Sequence, residues 1–400
     1  MAQFDPAAAT AAYLAQLPPQ AHAKAQAYTH GDHWLLLWNL VVSVAIAWLI
    51  LRSGVLVRLR ERLEAGKGRP WLAALAIALA YFLAEALLSL PWSAYTGWWR
   101  ELRYGFTTRP FAGWLGEHLM SAAIMSVLTA LLVAVLYALM RRSPRRWWLW
   151  GAGVTSLFIL AFHVAAPIYL QPLFNRFEPA PPGPVREAVA QLARENGVPP
   201  DKIYVYNGSK QSTAYTANVA GLFGTARVAM SDTMFAKGAD VPEVRAVVGH
   251  EMGHYVLRHT LFAATGMSLM ALAAFFLIDR LFDRTRRLTG AEGVGAVSDP
   301  AGLPIISILI TALAFLATPL ENAVSRYMEN QADEFSLERV NEPDGLSRAL
   351  VKTIEYRAAT PPALEEAVFY SHPAVGTRIR RAMEWKARHP RTAGRPRPGA

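Results

Sequence analysis

The 400-residue chain has no cysteine, which excludes disulfide bonds and thiolate metal ligands alike. A metal site in such a chain has to be built from histidine and carboxylate. Acidic residues are also in deficit, 30 against 40 Lys and Arg, giving a formal net charge of +10. A basic excess raises nucleic acid as a partner, but no recognisable nucleic-acid module is present. Much of the excess lies in short loops beside apolar runs and in the tail from Arg378 to Arg397, which favours anionic lipid headgroups. The first 30 residues lack a cationic start followed by an apolar core. No cleavable signal peptide is therefore expected, and insertion relies on the apolar runs themselves.

Apolar side chains, by contrast, make up 53% of the chain. They are concentrated in six stretches nearly free of charge, at 34 to 52, 72 to 92, 119 to 140, 147 to 170, 259 to 279 and 303 to 320. Each approaches the roughly 20 residues that a helix needs to cross hydrocarbon. Trp34, Trp38, Trp71, Trp92, Trp147, Trp148 and Trp150 lie near the ends of these stretches, as interfacial aromatics do. Six spanning helices are expected, in a multi-pass integral membrane protein. Glu85 and His163 fall inside spans, where ionisable groups are expensive and face protein or water rather than lipid.

A polar segment separates the fourth span from the fifth, opened by the proline-rich run Pro179 to Pro184. The expected division is a membrane domain over 1–178 with four spans, and a metallopeptidase domain over 179–400 with two more. Within the second, a helix is expected from Val185 to Asn196, stopped by Gly197 and the prolines beyond it. Ile203 to Tyr206 and Ala226 to Met230 read as strands of a small sheet, with Ala217 to Ala220 as a third, exposed strand. A helix follows from Val241, with Pro242 in its first turn and Val244, Val247, Val248, Met252 and Val256 recurring along it. Ala323 to Val340 reads as another helix, and the last ten residues are expected to be disordered.

The helix from Val241 carries His250-Glu251-Met252-Gly253-His254. Two histidines four apart share one helical face, close enough for both imidazoles to hold one metal ion. Glu251 between them is placed to act as general base toward a water activated by that metal, the arrangement of zinc metalloproteases. Catalytic zinc takes three protein ligands and leaves a position for water. A metzincin-type extension would need glycine at 257 and histidine at 260, but Leu257 and Thr260 stand there, with His259 out of register. The other solution is a glutamate from a second helix. Glu321, Glu329 and Glu334 are all candidates, and helical periodicity does not choose among them.

HEMGH followed after a span by SRYMENQADEF, residues 325 to 335, resembles the membrane-integral zinc proteases of the CAAX prenyl protease 1 type. LPWSAYTGWWRELRYGF at 90 to 106 is similar to that family's segment after an early span, and APIYLQPLFNRFEPAP at 166 to 181 to the lead-in to its catalytic domain. The resemblance implies that Glu329 is the third ligand and that Asp333 supports the ligands. SHPAVGTRI at 371 to 379 resembles the family's late His-Pro motif, which makes His372 a helper that stabilises the oxyanion. By the same resemblance Arg378 forms an ion pair within the site, with Asp333 as the first partner to try. Asn218, in SKQSTAYTANVAG at 209 to 221, resembles an asparagine lining the substrate groove, though the spacing departs by two residues. Eukaryotic members have seven spans against six here, and the match places the missing one first.

The fold expected is thus mainly α, a polytopic membrane protein with about six transmembrane helices around a chamber, plus a small α+β gluzincin-type catalytic domain. The activity implied is that of an endopeptidase with one Zn2+ per chain, cleaving a peptide or protein that is lipidated or membrane-associated, with the lipid bilayer as the other partner. Resemblance points to a prenylated C-terminal C-a-a-X peptide, while the Ala, Arg and Pro rich composition fits a bacterial source and its inner membrane. General proteolysis of membrane proteins is the alternative within the enzyme class. From another class, a metal-binding transporter or scaffold would not need a glutamate between the histidines. The family's cytoplasmic catalytic domain would put the basic loops 52 to 69, 141 to 146 and 280 to 287 outside, whereas the positive-inside tendency argues the reverse.

Overall fold

Prolines in first turns punctuate this chain, where their missing N–H removes no helical hydrogen bond. Pro6, Pro19, Pro70, Pro184, Pro242 and Pro343 each stand in the first turn of a helix. The computed structural model describes residues 4–65, 69–221 and 226–390, and it is mainly helical. The tail expected to be disordered lies outside these residues.

Among the described residues, six helices are long and apolar enough to cross a membrane: Pro19–Arg52, Pro70–Arg103, Phe111–Arg142, Trp147–Phe174, His259–Leu288 and Pro300–Val340. Their inner faces meet in a cluster that buries Tyr81, Tyr137, Trp147, Phe275, Ile278 and Ile305. Trp147 donates its indole N–H to Asp279 Oδ1 at 2.6 Å, joining the fourth span to the fifth. The outer faces carry side chains that no protein covers: Leu87 is 69% and Leu316 72% exposed. Apolar surface on this scale is stable against lipid, not water.

Glu85 lines a cavity of about 210 Å3 with Ser89, His118, Ser126 and Thr129 between the second and third spans. His163 bonds through Nδ1 to the carbonyl of Ile159 in its own helix, 2.9 Å away.

The sixth span departs from expectation. In place of a span and a separate helix there is one helix of 38 residues, Leu303–Val340, with Pro319 inside it. The composition changes from apolar to charged near Glu321, and the hydrogen-bonded helix continues through that change.

The polar segment folds onto the end of this bundle. Strands β1 (Phe177–Pro179), β2 (Ile203–Tyr206), β3 (Ala217–Ala220) and β4 (Arg227–Ser231) form one sheet in the order β1-β2-β4-β3. β2 and β4 are parallel, and β1 and β3 pair antiparallel at the two edges. β4 is buried from Val228 to Ser231, as the apolar run of a central strand should be. β1 was not expected: three residues ending in proline show no periodicity, and proline is tolerated at an edge. The helix Pro184–Glu195 contributes Val189, Leu192 and Ala193 to a core shared with Ile203, Val228, Met230 and the face of the motif helix formed by Val244, Val248 and Met252.

A third cluster joins the two ends of the chain. Ala25, at the start of the first span, is buried with Leu337, Leu346, Ile354, Val375 and Ile379, and Tyr13 donates to Asp344 at 2.8 Å.

Candidate active site

The motif helix, Val241–Val256, begins with reciprocal capping: Asp240 accepts from the Glu243 N–H at 2.9 Å, and Glu243 accepts from the Asp240 N–H at 3.3 Å. Such a cap satisfies two otherwise orphaned donors and fixes where the helix starts. One turn past the motif, Arg258 takes a left-handed conformation, φ 58, and the chain reverses into the fifth span at His259.

The motif helix lies against the long helix Leu303–Val340, and two glycines set the closeness of that packing. A Cβ on Gly253 would stand 3.0 Å from the backbone Cα of Ala332, and one on Gly249 would stand against Val340. Ser336 completes the contact by donating its hydroxyl to the carbonyl of Ala246 at 2.7 Å. Close approach brings Glu329 onto the histidines, with Glu321 and Glu334 left exposed.

Among the described residues, His250, His254 and Glu329 form a group able to hold a metal ion. The two Nε2 atoms are 3.2 Å apart. Glu329 places Oε2 3.3 Å from Nε2 of His250 and Oε1 3.4 Å from Nε2 of His254.

The opposite nitrogens of the two rings are both engaged. Nδ1 of His250 donates to Asp333 Oδ1 at 2.9 Å, since a carboxylate only accepts. His254 Nδ1 lies 2.9 Å from His259 Nδ1, and His259 Nε2 lies 3.1 Å from Gln331 Oε1. The amide of Gln331 is oriented by its N–H donation to the Tyr327 hydroxyl at 3.1 Å. Its oxygen therefore accepts from His259 Nε2, so His259 Nδ1 is the acceptor and His254 Nδ1 the donor. In the neutral rings both Nε2 atoms are then left as lone pairs, the tautomers that ligation of a metal requires.

Two lone pairs and a carboxylate converging in a buried place repel one another unless a cation sits among them. Oε2 of Glu329 is buried without a hydrogen-bond partner, as expected of an atom reserved for a metal. Burial alone would lower the pKa of His250, but Asp333 and Glu329 outweigh it and push it up to about 10. The pocket thus calls for positive charge, and the donor set fits zinc-type nitrogen and oxygen coordination.

Around this group the remaining residues are placed as follows. Arg378 holds Asp333 with a two-pronged pair, Nε to Oδ2 at 2.7 Å and Nη2 to Oδ1 at 2.6 Å. Burial opposes the charge of Arg378, but Asp333 more than compensates and raises its pKa. His372 sets Nε2 3.3 Å from Glu329 Oε1 and Nδ1 3.0 Å from the Ser371 hydroxyl. Burial first, and then the charge of Arg357, bring the pKa of His372 down to about 3, so its imidazole is neutral at neutral pH. Glu251 lines a cleft of about 180 Å3 with His250, Glu329, His372 and Arg378. Burial raises the pKa of its carboxyl, with His250 and His254 pulling against that rise.

Asn218 sits apart from the metal group, on edge strand β3 opposite Ala229, with its Oδ1 buried and unpaired. Its neighbour Ala217 lines the cleft.

Sequence reasoning missed the glycine pair, the link from His254 through His259 to Gln331, and Arg357. The glycines had a signal, since residues four apart lie on one helical face. His259 is out of register with the metzincin pattern, yet it meets His254 across the turn at Arg258.

Known proteins resemble this chain over most of its length. Residues 179–386 match the model of peptidase family M48, and residues 6–176 match that of the CAAX prenyl protease N-terminal region, described as five membrane helices. Among the described residues, the matching part of this chain has four long apolar helices. The uncharacterized metalloprotease YhfN of Bacillus subtilis is 31% identical over 373 residues, 92% of this chain and 86% of that protein. A CAAX prenyl protease 1 homolog of Arabidopsis thaliana is 29% identical over 74% of this chain and 69% of its own length. The crystal structure of S. mikatae Ste24p shares the fold, with a TM-score of 0.74 at 22% identity, over 94% of this chain and 95% of that one. Family membership implies a bound metal ion, a peptide or protein substrate and a seat in the membrane. From the metal group, the six apolar helices and these matches, the chain belongs to peptidase family M48 and is a multi-pass membrane metalloendopeptidase.

Proposed function

We propose that this centre is a zinc site with His250, His254 and Glu329 as its three protein ligands and one zinc per chain. The observation that carries the reading is the convergence of two imidazole lone pairs and one carboxylate, each ring pinned from behind, beside the half-buried Glu251. When bound, zinc lowers the pKa of a water and polarises the scissile carbonyl. Glu251, its pKa raised by burial, accepts the proton of the attacking water and passes it to the leaving amine. His372, neutral and with Nε2–H turned toward the cleft, donates to the oxygen on which negative charge develops. Asp333 orients His250, and Arg378 holds Asp333 in place. β3 offers an unpaired edge to which an extended peptide can add as a strand, with Asn218 along the groove.

Residues 1–178 serve in this reading as the membrane domain and 179–400 as the metallopeptidase domain. The substrate is a lipidated or membrane-associated protein cut near its C-terminus, in keeping with the CAAX prenyl protease 1 relatives. The location is a bacterial cell membrane, a reading supported by the Bacillus relative.

The test is Glu251→Gln in the full-length protein. It is expected to keep one zinc per chain by metal analysis and to lose activity on a quenched peptide by about 10^2- to 10^4-fold, the range for a general acid-base group. Full activity with metal bound would sink the assignment and favour a metal-binding scaffold or transporter. Membrane proteomics of a strain carrying the same variant tests the substrate. Accumulation of lipidated proteins with intact C-termini is expected, whereas accumulation of unrelated membrane proteins would point to general proteolysis.

A further inference from the structure

Arg357 occupies the junction of two cavities. The cleft over the metal group, about 180 Å3, and a larger chamber of about 580 Å3 share the lining residues Tyr356, Arg357 and His372. The larger chamber runs from the first span, at Tyr28, Asp32 and Leu36, to the segment around Tyr370. A peptide crossing the metal site with one end in the chamber therefore passes Arg357.

The backbone that presents Arg357 is fixed at several points. Ile354 is fully buried. The Ala358 N–H donates to Thr29 Oγ1 at 3.0 Å, and the Ala359 carbonyl accepts from the Gly376 N–H at 2.9 Å. Arg357 is thus held between the first span and the C-terminal helix Val375–Arg388.

Its side chain has no carboxylate partner among the described residues. Among the described residues its guanidinium carbon lies 5.5 Å from the ring centre of adjacent Tyr356. Every carboxylate on the walls of the two cavities is occupied elsewhere or reserved. Asp32 pairs with Arg100 at 2.8 Å. Glu101 accepts from the Tyr28 hydroxyl at 2.7 Å. Glu329 faces the three histidines, and Glu251 is the proposed base. A partly buried guanidinium that has no ion-pair partner among the described residues is costly to keep, and burial lowers the pKa of this one. Such a group fits an anion that arrives with the substrate, and guanidinium matches carboxylate geometry with two parallel hydrogen bonds.

We propose that Arg357 is a subsite for a carboxylate of the substrate, placed between the metal cleft and the chamber so that it selects where along a peptide cleavage falls. The inference rests on the peptidase reading above and deepens it. The carboxylate has two possible sources, the free C-terminus of the peptide or an Asp or Glu side chain, and each gives a different specificity. A C-terminus held here limits cleavage to the last few residues of a protein. A side chain held here allows internal cleavage beside acidic residues.

The test measures binding, so that it does not depend on turnover. Full-length zinc-loaded Glu251→Gln protein in detergent is titrated with three fluorescent peptides of one sequence: a free acid with Gln past the scissile bond, its C-terminal amide, and the amide with Glu replacing that Gln. A charged hydrogen-bonded pair is expected to favour one acid over the neutral amide by about 10- to 100-fold in Kd. Adding Arg357→Leu is expected to collapse that ratio to near one, and Arg357→Lys to retain part of it, which separates loss of the guanidinium from loss of the fold. Preference for the free acid assigns the terminus, and preference for the Glu peptide assigns the side chain. Equal binding of all three peptides, or a preference that survives Arg357→Leu, overturns the proposal. If wild-type protein cleaves none of the peptides although the Arg357-dependent preference is present, the subsite stands and the peptidase reading falls.

Discussion

At the level of single residues, the site is made by what stands behind the histidines. Two imidazoles at four-residue spacing give a shared face, but each ring can rotate and each has two tautomers. Asp333 fixes one ring and His259 the other. His259→Phe removes the acceptor for His254 Nδ1–H while keeping a ring in the turn. Zinc affinity, measured by chelator competition on the full-length protein, is expected to fall about 10- to 100-fold, the usual cost of losing such a supporting partner. His259→Asn, whose side chain can still accept, is expected to recover part of it. Unchanged affinity in His259→Phe would show that the link through Gln331 does no orienting.

The sequence made the histidine pair and Glu251 legible because helical spacing alone places them. It left Glu321, Glu329 and Glu334 level. Those positions differ by helical phase relative to a partner helix, and phase is set by packing that the local pattern does not contain. His259 and Arg357 were invisible for a related reason: their partners come from distant segments.

Between elements, the decisive contact is the crossing of the motif helix and the long helix. Glycine inside a helix costs about 0.5–1 kcal/mol relative to alanine, so two of them in one helix need a reason. The backbone of Ala332 supplies it at Gly253, where an added Cβ meets main-chain atoms at 3.0 and 3.3 Å. Gly253→Ala should therefore destabilise despite its better helix propensity, by about 1–3 kcal/mol of overpacking. The expected readings are a lower thermal midpoint for the metal-free protein and weaker zinc binding, since a displaced long helix carries Glu329 away from the histidines. A raised midpoint with intact zinc binding would show that the helices have room to spare.

The elements themselves were largely readable. Prolines and caps marked helix starts, and the strands Ile203–Tyr206 and Ala217–Ala220 lie where alternation and turn residues put them. The unbroken run from Leu303 to Val340 was not readable, because a change in composition looks the same whether a helix ends or leaves the membrane.

Across the whole molecule, the six candidate crossings set a parity. The first span leaves the metal-site end near Ala25, which is buried with the C-terminal helices, and finishes at Arg52. Arg52 donates to the Gly290 carbonyl at 2.6 Å, and Arg60 pairs with Asp299. The loop after the first span and the loop between the fifth and sixth therefore meet at the far end of the bundle. The first helix, Pro6–Leu14, the C-terminal helix, Val375–Arg388, and the sheet lie at the other end. Because the chain has no cysteine, a single introduced thiol reports its own side of the membrane without background. Arg58→Cys, exposed at the far end, and Glu384→Cys, exposed on the C-terminal helix, are expected to react from opposite sides. In sealed vesicles, a maleimide that does not cross lipid should label one of them, and should label the other only after detergent is added. Labelling of both from one side would mean an even number of crossings between them instead of five, and hence that one of these five apolar helices does not span. Zinc bound by the same samples separates the two cases further, since Glu329 reaches the histidines only if the sixth helix runs back to the end it shares with the fifth.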